Sequence, residues 1–91
     1  SVPSGIVMTD HRGKILFVNS LVNRMLGYEP GELVGKTVEV LVPERFRKIH
    51  TEFRYSYLAF PSARPMGKGR ELNALKKDGT ELAVEIGLNP V

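Results

Sequence analysis

The run Val18-Asn19-Ser20-Leu21-Val22-Asn23-Arg24-Met25-Leu26-Gly27-Tyr28, continued by Glu29-Pro30-Gly31-Glu32-Leu33-Val34-Gly35-Lys36, constrains the fold of this chain more than any other segment. It reads as a strand end, a capped short helix, a glycine stop and a second short helical turn. Asn19 or Ser20 supplies the cap, because a short side-chain oxygen accepts a bond from a free amide two or three residues on. Leu21, Val22, Met25 and Leu26 share one helical face, and Gly27 ends the helix. Pro30 suits the first turn of the next helix, which Gly35 stops. Thr37 to Leu41 is ambiguous between a strand and a helical turn.

Hairpins flank this helical middle. Ile6-Val7-Met8-Thr9 and Lys14-Ile15-Leu16-Phe17-Val18 are short apolar runs rich in β-formers, joined by Asp10-His11-Arg12-Gly13. Near the other end, Glu71 to Lys76 and Glu81 to Asn89 read as strands about Asp78-Gly79, a pair compatible with a type I′ turn. In the last strand Leu82, Val84, Ile86 and Leu88 face one way, and Glu81, Ala83, Glu85, Gly87 and Asn89 the other. Between the hairpins, Pro43 opens the longest helix and Pro61 ends it. Phe46, Ile49, His50, Phe53 and Tyr57 form its apolar stripe, with Arg45, Arg47, Lys48, Glu52 and Arg54 on the other faces. Ser62 to Gly69 reads as a loop. Strands segregated from helices, with a hairpin at each end, imply an α+β fold: an antiparallel β-sheet with helices packed on one face.

Composition narrows the chemistry. At 91 residues, with 42% hydrophobic and 25% charged residues, the chain is sized for one domain with one modest core. The absence of cysteine removes disulfides, Cys-ligated zinc, iron–sulfur clusters, thioether-linked haem and a thiol nucleophile. No run of about 18 apolar residues is present, so no membrane-spanning helix is expected within the chain. A net charge of +3 is too mild to imply nucleic acid by itself. Arg45, Arg47, Lys48, Arg54, Arg64, Lys68, Arg70, Lys76 and Lys77 are interleaved with glutamates and read as a solvated face. No paired-carboxylate, Ser-His-Asp or metal-spacing motif appears, and Met66-Gly67-Lys68-Gly69 lacks the strand-before, helix-after setting that phosphate binding needs. The domain is therefore expected to be non-catalytic.

Asp10, Gly13, Asn19, Gly27-Tyr28, Glu32-Leu33, Gly35 and Lys77-Asp78-Gly79, taken in order, resemble a PAS domain, a sensory and signal-relay module. The resemblance covers nearly the whole chain, so residues 1–91 are expected to be a single PAS domain and a fragment of a larger multidomain protein. PAS domains carry a fifth strand between the first and fourth, and no segment here corresponds to it. Either it lies outside this sequence or another chain supplies it.

The resemblance implies a module that binds a small ligand or relays a conformational change. It also implies dimerisation within a sensor histidine kinase of a two-component system, a cyclic-di-GMP enzyme or a regulator of transcription. The expected partners are a small-molecule ligand, a second copy of the chain, and the flanking signalling helices or output domain of the same protein. Nucleic acid is not expected, and the expected location is cytoplasmic. Flavin bound through a Cys adduct is excluded by composition. Haem is the cofactor left open. In the oxygen-sensing, FixL-type PAS domains a haem-ligating His follows a Pro-Glu segment on the long helix, and here Pro43-Glu44 precedes His50. Arg70 falls near the arginine that answers oxygen binding in that group. His50, Phe46, Phe53, Tyr57 and Arg70 are thus the candidate pocket residues. The alternatives are a half-exposed, hydrogen-bonded His50, aromatics that merely fill the core, and a ligand-free dimerisation scaffold.

Overall fold

The computed structural model describes residues 4–59, 64–65, 72–84 and 87–88. The elements in chain order are β1 (Val7–Thr9), β2 (Ile15–Val18), α1 (Ser20–Leu26), a 3-10 turn η1 (Val38–Leu41) and a second, η2 (Glu44–Phe46). They continue with α2 (Arg47–Ala59), β3 (Arg64–Pro65), β4 (Leu72–Leu75), β5 (Glu81–Val84) and β6 (Gly87–Leu88). The strands pair antiparallel as β1–β2, β3–β6 and β4–β5. The expected α+β class holds, but among the described residues the sheet is in separate ladders and no described strand joins β1 to β5. The strand β3 falls where a loop was expected.

Both long hairpins use one turn design. In the first, the Gly13 amide donates to the Asp10 carbonyl at 3.0 Å and the Asp10 amide to the Lys14 carbonyl at 2.9 Å. In the second, the Gly79 amide donates to the Lys76 carbonyl at 3.0 Å and the Lys76 amide to the Thr80 carbonyl at 2.8 Å. Gly13 and Gly79 sit at φ 80° and 90°. This is a three-residue loop closed by a left-handed glycine, rather than the two-residue I′ turn expected at Asp78-Gly79. The carboxylates of Asp10 and Asp78 brace the turns: Asp10 accepts the Arg12 and Lys14 amides, and Asp78 accepts the amide and hydroxyl of Thr80. These bonds favour the charged form and hold both carboxyls below their ordinary range.

Of the two candidate caps, Asn19 starts α1. Its Oδ1 accepts the Val22 amide at 3.2 Å and the Ile6 amide at 3.0 Å, while its Nδ2 donates to the Ser4 carbonyl at 2.8 Å. One side chain therefore closes the helix and ties it to the chain entering β1. Asn19→Ala is expected to lower stability by about 2 kcal/mol, from a lost cap plus two lost bonds. Urea unfolding checks this, and a loss below about 0.5 kcal/mol would mean that water replaces the bonds.

The helix expected from Pro30 to Gly35 does not form. Glu29-Pro30-Gly31-Glu32 is a turn instead, closed by the Glu32 amide on the Glu29 carbonyl at 3.0 Å, with Gly31 at φ 81°. Proline then glycine at the corners is type II chemistry, which a helix cannot accommodate. The turn drops Leu33 into the core, fully buried, and returns the chain along β2. There Gly35 donates to Ile15, Ile15 to Lys36, and Val38 to Gly13, each at 2.8 Å. So β2 is flanked by β1 on one side and by residues 35–38 on the other.

The core is Ile15, Val18, Val22, Leu26 and Leu33, with Val7, Tyr28, Val38, Val40, Leu41, Ala74 and Leu82 packed around it. Ala74 and Leu82 are cross-strand partners, so β4–β5 turns that face inward as the alternation required. On α1 the buried face is Val22, Asn23 and Leu26; Met25 faces out.

Candidate functional site

Helix α2 begins differently from its sequence expectation. Pro43 opens a 3-10 turn, Glu44–Phe46, and the α-helix starts only at Arg47. A 3-10 turn advances about 120° per residue against about 100° in an α-helix, which shifts the angular phase of its residues against those of the helix. Within the expected stripe that turn changes the phase of Phe46 alone, and the regular helix after it is itself turned to present a different face. Arg47, His50, Thr51 and Arg54 are half-buried, whereas Phe46 and Ile49 are 47% and 50% exposed. The expected apolar inner stripe is thus replaced, over the described side chains, by a polar one at 3, 4 and 7 spacing. Arg47 and Arg54 leave the solvated face where they were expected.

The residue that turns α2 is Glu39 of η1. Its Oε2 lies 2.7 Å from His50 Nδ1. Arg54 donates to the same carboxylate through Nε at 3.2 Å and Nη2 at 3.0 Å. The side chains of Glu39 and Arg54 are each 12% exposed, and that of His50 is 18% exposed. Arg47 Nε adds bonds to the carbonyls of Glu39 and Val42, at 3.1 and 3.0 Å. The bond to Glu39, opposed by desolvation, raises the Arg54 pKa above its ordinary value. Arg54 Nη1 is buried and has no partner among the described residues.

Gly13 completes the arrangement. An ideal Cβ there would lie 2.5 Å from Arg54 Nε and 2.6 Å from Arg54 Cζ. Only a glycine lets the guanidinium lie on the β1–β2 turn while it holds Glu39. Three elements meet at one carboxylate: the first hairpin, η1 and α2.

Two further ion pairs lie outside this junction and nearer solvent. Arg45 forks onto Glu81 of β5 at 2.6 and 2.8 Å, and Lys77 reaches Glu32 at 2.8 Å. Each bond lowers the pKa of its carboxylate, Glu81 through Arg45 and Glu32 through Lys77. The Arg45 guanidinium also lies 4.6 Å from the Phe46 ring. A shallow cleft of about 330 Å³ lies elsewhere, lined by Arg24, Leu26, Gly27, Lys76, Lys77 and Asp78.

Of the five candidate pocket residues, the structure therefore places His50 against Glu39 and Arg54, and Phe46 on the surface beside Arg45. Phe53 and Tyr57 lie on the α2 backbone, but their side chains are outside the described residues, as is all of Arg70. Sequence reasoning passed over Glu39, which fell in the ambiguous segment, and Arg54. The signal that was present is the polar series Arg47, His50, Thr51, Arg54 at helical spacing. No described helix is long and apolar enough to cross a membrane. Among the described residues no group of three His, Cys, Asp or Glu side chains is placed to hold a metal ion.

Comparison with known proteins agrees with this architecture. The family model of the PAS fold matches residues 1–91. The oxygen sensor protein DosP of Escherichia coli is 29% identical over 96% of this chain, and the sensor protein FixL of Bradyrhizobium diazoefficiens is 24% identical over 97%. The chain spans only 11% and 17% of the length of those two proteins. Among solved structures, the PAS domain of an HTR-like protein from Haloarcula marismortui superposes with a TM-score of 0.73 at 25% identity, over 93% of this chain and 66% of that one. The PAS-B domain of Drosophila melanogaster Cycle gives 0.75 at 16% identity over 90% of this chain and 77% of that one, a likeness of fold alone. With the PAS model matched from end to end and two sensor proteins similar over nearly all of its length, the chain belongs to the PAS family of sensory signal-transduction domains.

Proposed function

We propose that this domain senses or relays through helix α2, and that Glu39 is the fastening on which the signal acts. The observation that carries this reading is the polar junction of Glu39 with His50 and Arg54. Apolar packing is non-directional and tolerates small shifts, whereas a carboxylate shared by two donors is either made or broken. A ligand that prefers one arrangement of α2 shifts the population between the two. Useful coupling needs about 1–3 kcal/mol, which is the scale of a charged hydrogen bond. The domain carries no chemistry of its own in this reading. It passes the change to flanking helices and an output domain of a sensor histidine kinase, a cyclic-di-GMP enzyme or a transcriptional regulator, and it acts as a dimer. Ile6, Met8, Leu16 and Phe17, exposed on and beside the first hairpin, supply apolar surface for that pairing.

A second, sharper reading is a haem-based gas sensor with His50 as axial ligand. One feature favours it. With Nδ1 engaged by Glu39, His50 has Nε2 as its remaining nitrogen, and Nε2 has no hydrogen-bond partner among the described residues. A ligating imidazole uses one nitrogen for the metal and gives the other N–H to a carboxylate or carbonyl, so the donor chemistry fits. Haem held there would supply an iron at which a diatomic gas binds. Phe53, Tyr57 and Arg70 remain candidates for the rest of that pocket. The oxygen-sensor relative supports the reading by similarity.

An absorption spectrum of the purified domain, before and after haem addition and with His50→Ala alongside, separates the two. A Soret band in the wild type that is lost or strongly shifted in His50→Ala is the result expected of a haem sensor. A spectrum of free haem in both proteins would sink that reading and leave a sensor of colourless ligands or a relay scaffold.

A further inference from the structure

Resting on the haem reading, we propose that Glu39 is the positioning residue that decides which nitrogen of His50 is offered to a metal centre. Glu39 is held by Arg54 through both carboxylate oxygens, and an ionised carboxylate only accepts hydrogen bonds. The 2.7 Å contact to His50 Nδ1 is therefore an Nδ1–H donating to Oε2. A neutral imidazole carries one ring proton. Once that proton is on Nδ1, the lone pair is on Nε2. The same bond orients the ring, because Arg54 holds both oxygens of the carboxylate and itself rests against Gly13. Glu39 thus acts on any ligand through His50 rather than by touching it.

A carboxylate on the far side of the imidazole, its charge partly offset by Arg54, strengthens the donation of the ring to a metal. Glu39 comes from η1 and His50 from α2, so the ring orientation also depends on how those two elements sit. A bound group that pulls on Nε2 is transmitted to Glu39, and from there to Arg54 and the first hairpin.

The test reads the tautomer directly. Long-range ¹⁵N–¹H correlation spectra of the imidazoles, recorded over a range of pH, compare the wild type with Glu39→Ala and Glu39→Asp. In the wild type His50 is expected as the Nδ1–H form alone. In Glu39→Ala the Nε2–H form is expected to become populated, and Glu39→Asp to restore the original form in part. Where Glu39→Ala does not fold, the wild-type spectrum and the Asp variant decide. Haem titration adds a second readout: affinity is expected to fall about 10- to 100-fold in Glu39→Ala. An Nε2–H tautomer in the wild type, or a tautomer that ignores the loss of Glu39, overturns the proposal. A spectrum showing the Nδ1–H form in a domain that gives no Soret band overturns the haem reading alone and supports the Glu39 assignment.

Discussion

Replacing Glu39 with alanine is expected to destabilise the domain by about 3 kcal/mol, which in a chain of this size is a large share of the total. The carboxylate and the Arg54 guanidinium are each 12% exposed, so neither is fully solvated in the folded state. Removing the acid leaves a cation in partial burial with its bonds unmade. It also leaves His50 Nδ1 without its acceptor. Breaking one side of a buried pair costs more than the pair contributes, because the remaining charge keeps its desolvation penalty. Glu39→Gln keeps one carbonyl oxygen as acceptor and is expected to cost roughly half as much. His50→Ala is expected to cost less than either, since Glu39 keeps Arg54. The double variant Glu39→Ala/Arg54→Ala is expected to be no less stable than Glu39→Ala alone, the non-additivity of a shared contact. Urea unfolding of the four proteins checks the order. A loss below about 1 kcal/mol for Glu39→Ala would place the junction with ordinary surface ion pairs.

Gly13→Ala is expected to have an effect of similar size, and Gly79→Ala supplies its control. The two glycines occupy equivalent positions in equivalent turns, at φ 80° and 90°. A left-handed conformation costs a non-glycine residue about 1–2 kcal/mol, and both variants incur that cost. Their surroundings differ. A Cβ at Gly79 meets nothing within 4 Å, whereas one at Gly13 falls 2.5 to 2.9 Å from three atoms of Arg54. Arg54 is flexible, so the overlap alone is cheap to relieve. Relieving it moves the guanidinium off Glu39, and the cost arises there. Gly13→Ala is therefore expected to lose about 3–4 kcal/mol and Gly79→Ala about 1–2 kcal/mol. The gap between them should close when Arg54 is already alanine. Equal losses in the two variants would show that Arg54 moves aside without consequence.

These two positions illustrate what the sequence carried. Local chemistry was legible: Asn19 as a cap, Gly27 as a stop, glycine at the close of each hairpin, and the alternation of Glu81 to Val84. Each of these is decided within about four residues of chain. Pro30-Gly31 was misread because proline serves both a helix start and a type II turn, and the glycine after it decides between them. The phase of α2 was not legible. Phe46, Ile49, His50, Phe53 and Tyr57 make a convincing apolar stripe, but which side of α2 turns inward is decided by Glu39, on another element. The 3-10 turn at Glu44–Phe46 rotates the residues before Arg47 relative to those after it. Glu39 and Arg54 are fifteen residues apart and on different elements, so no local pattern joins them. His50 was found because a histidine on that helix resembles a haem ligand, and its hydrogen-bond partner in the fold is an acid from another element.

The central claim is that α2 forms a unit fastened to the rest of the domain by Glu39 and able to move without unfolding it. Native-state amide hydrogen exchange at low denaturant tests this most directly. The expected result is that amides within Arg47–Ala59 exchange about tenfold or more faster than those of β2, α1 and β5, with a weaker dependence on denaturant. That pattern marks a sub-global opening of α2 alone. Contradiction would take the form of one shared opening, with α2 and the core amides converging on the same free energy and the same denaturant slope.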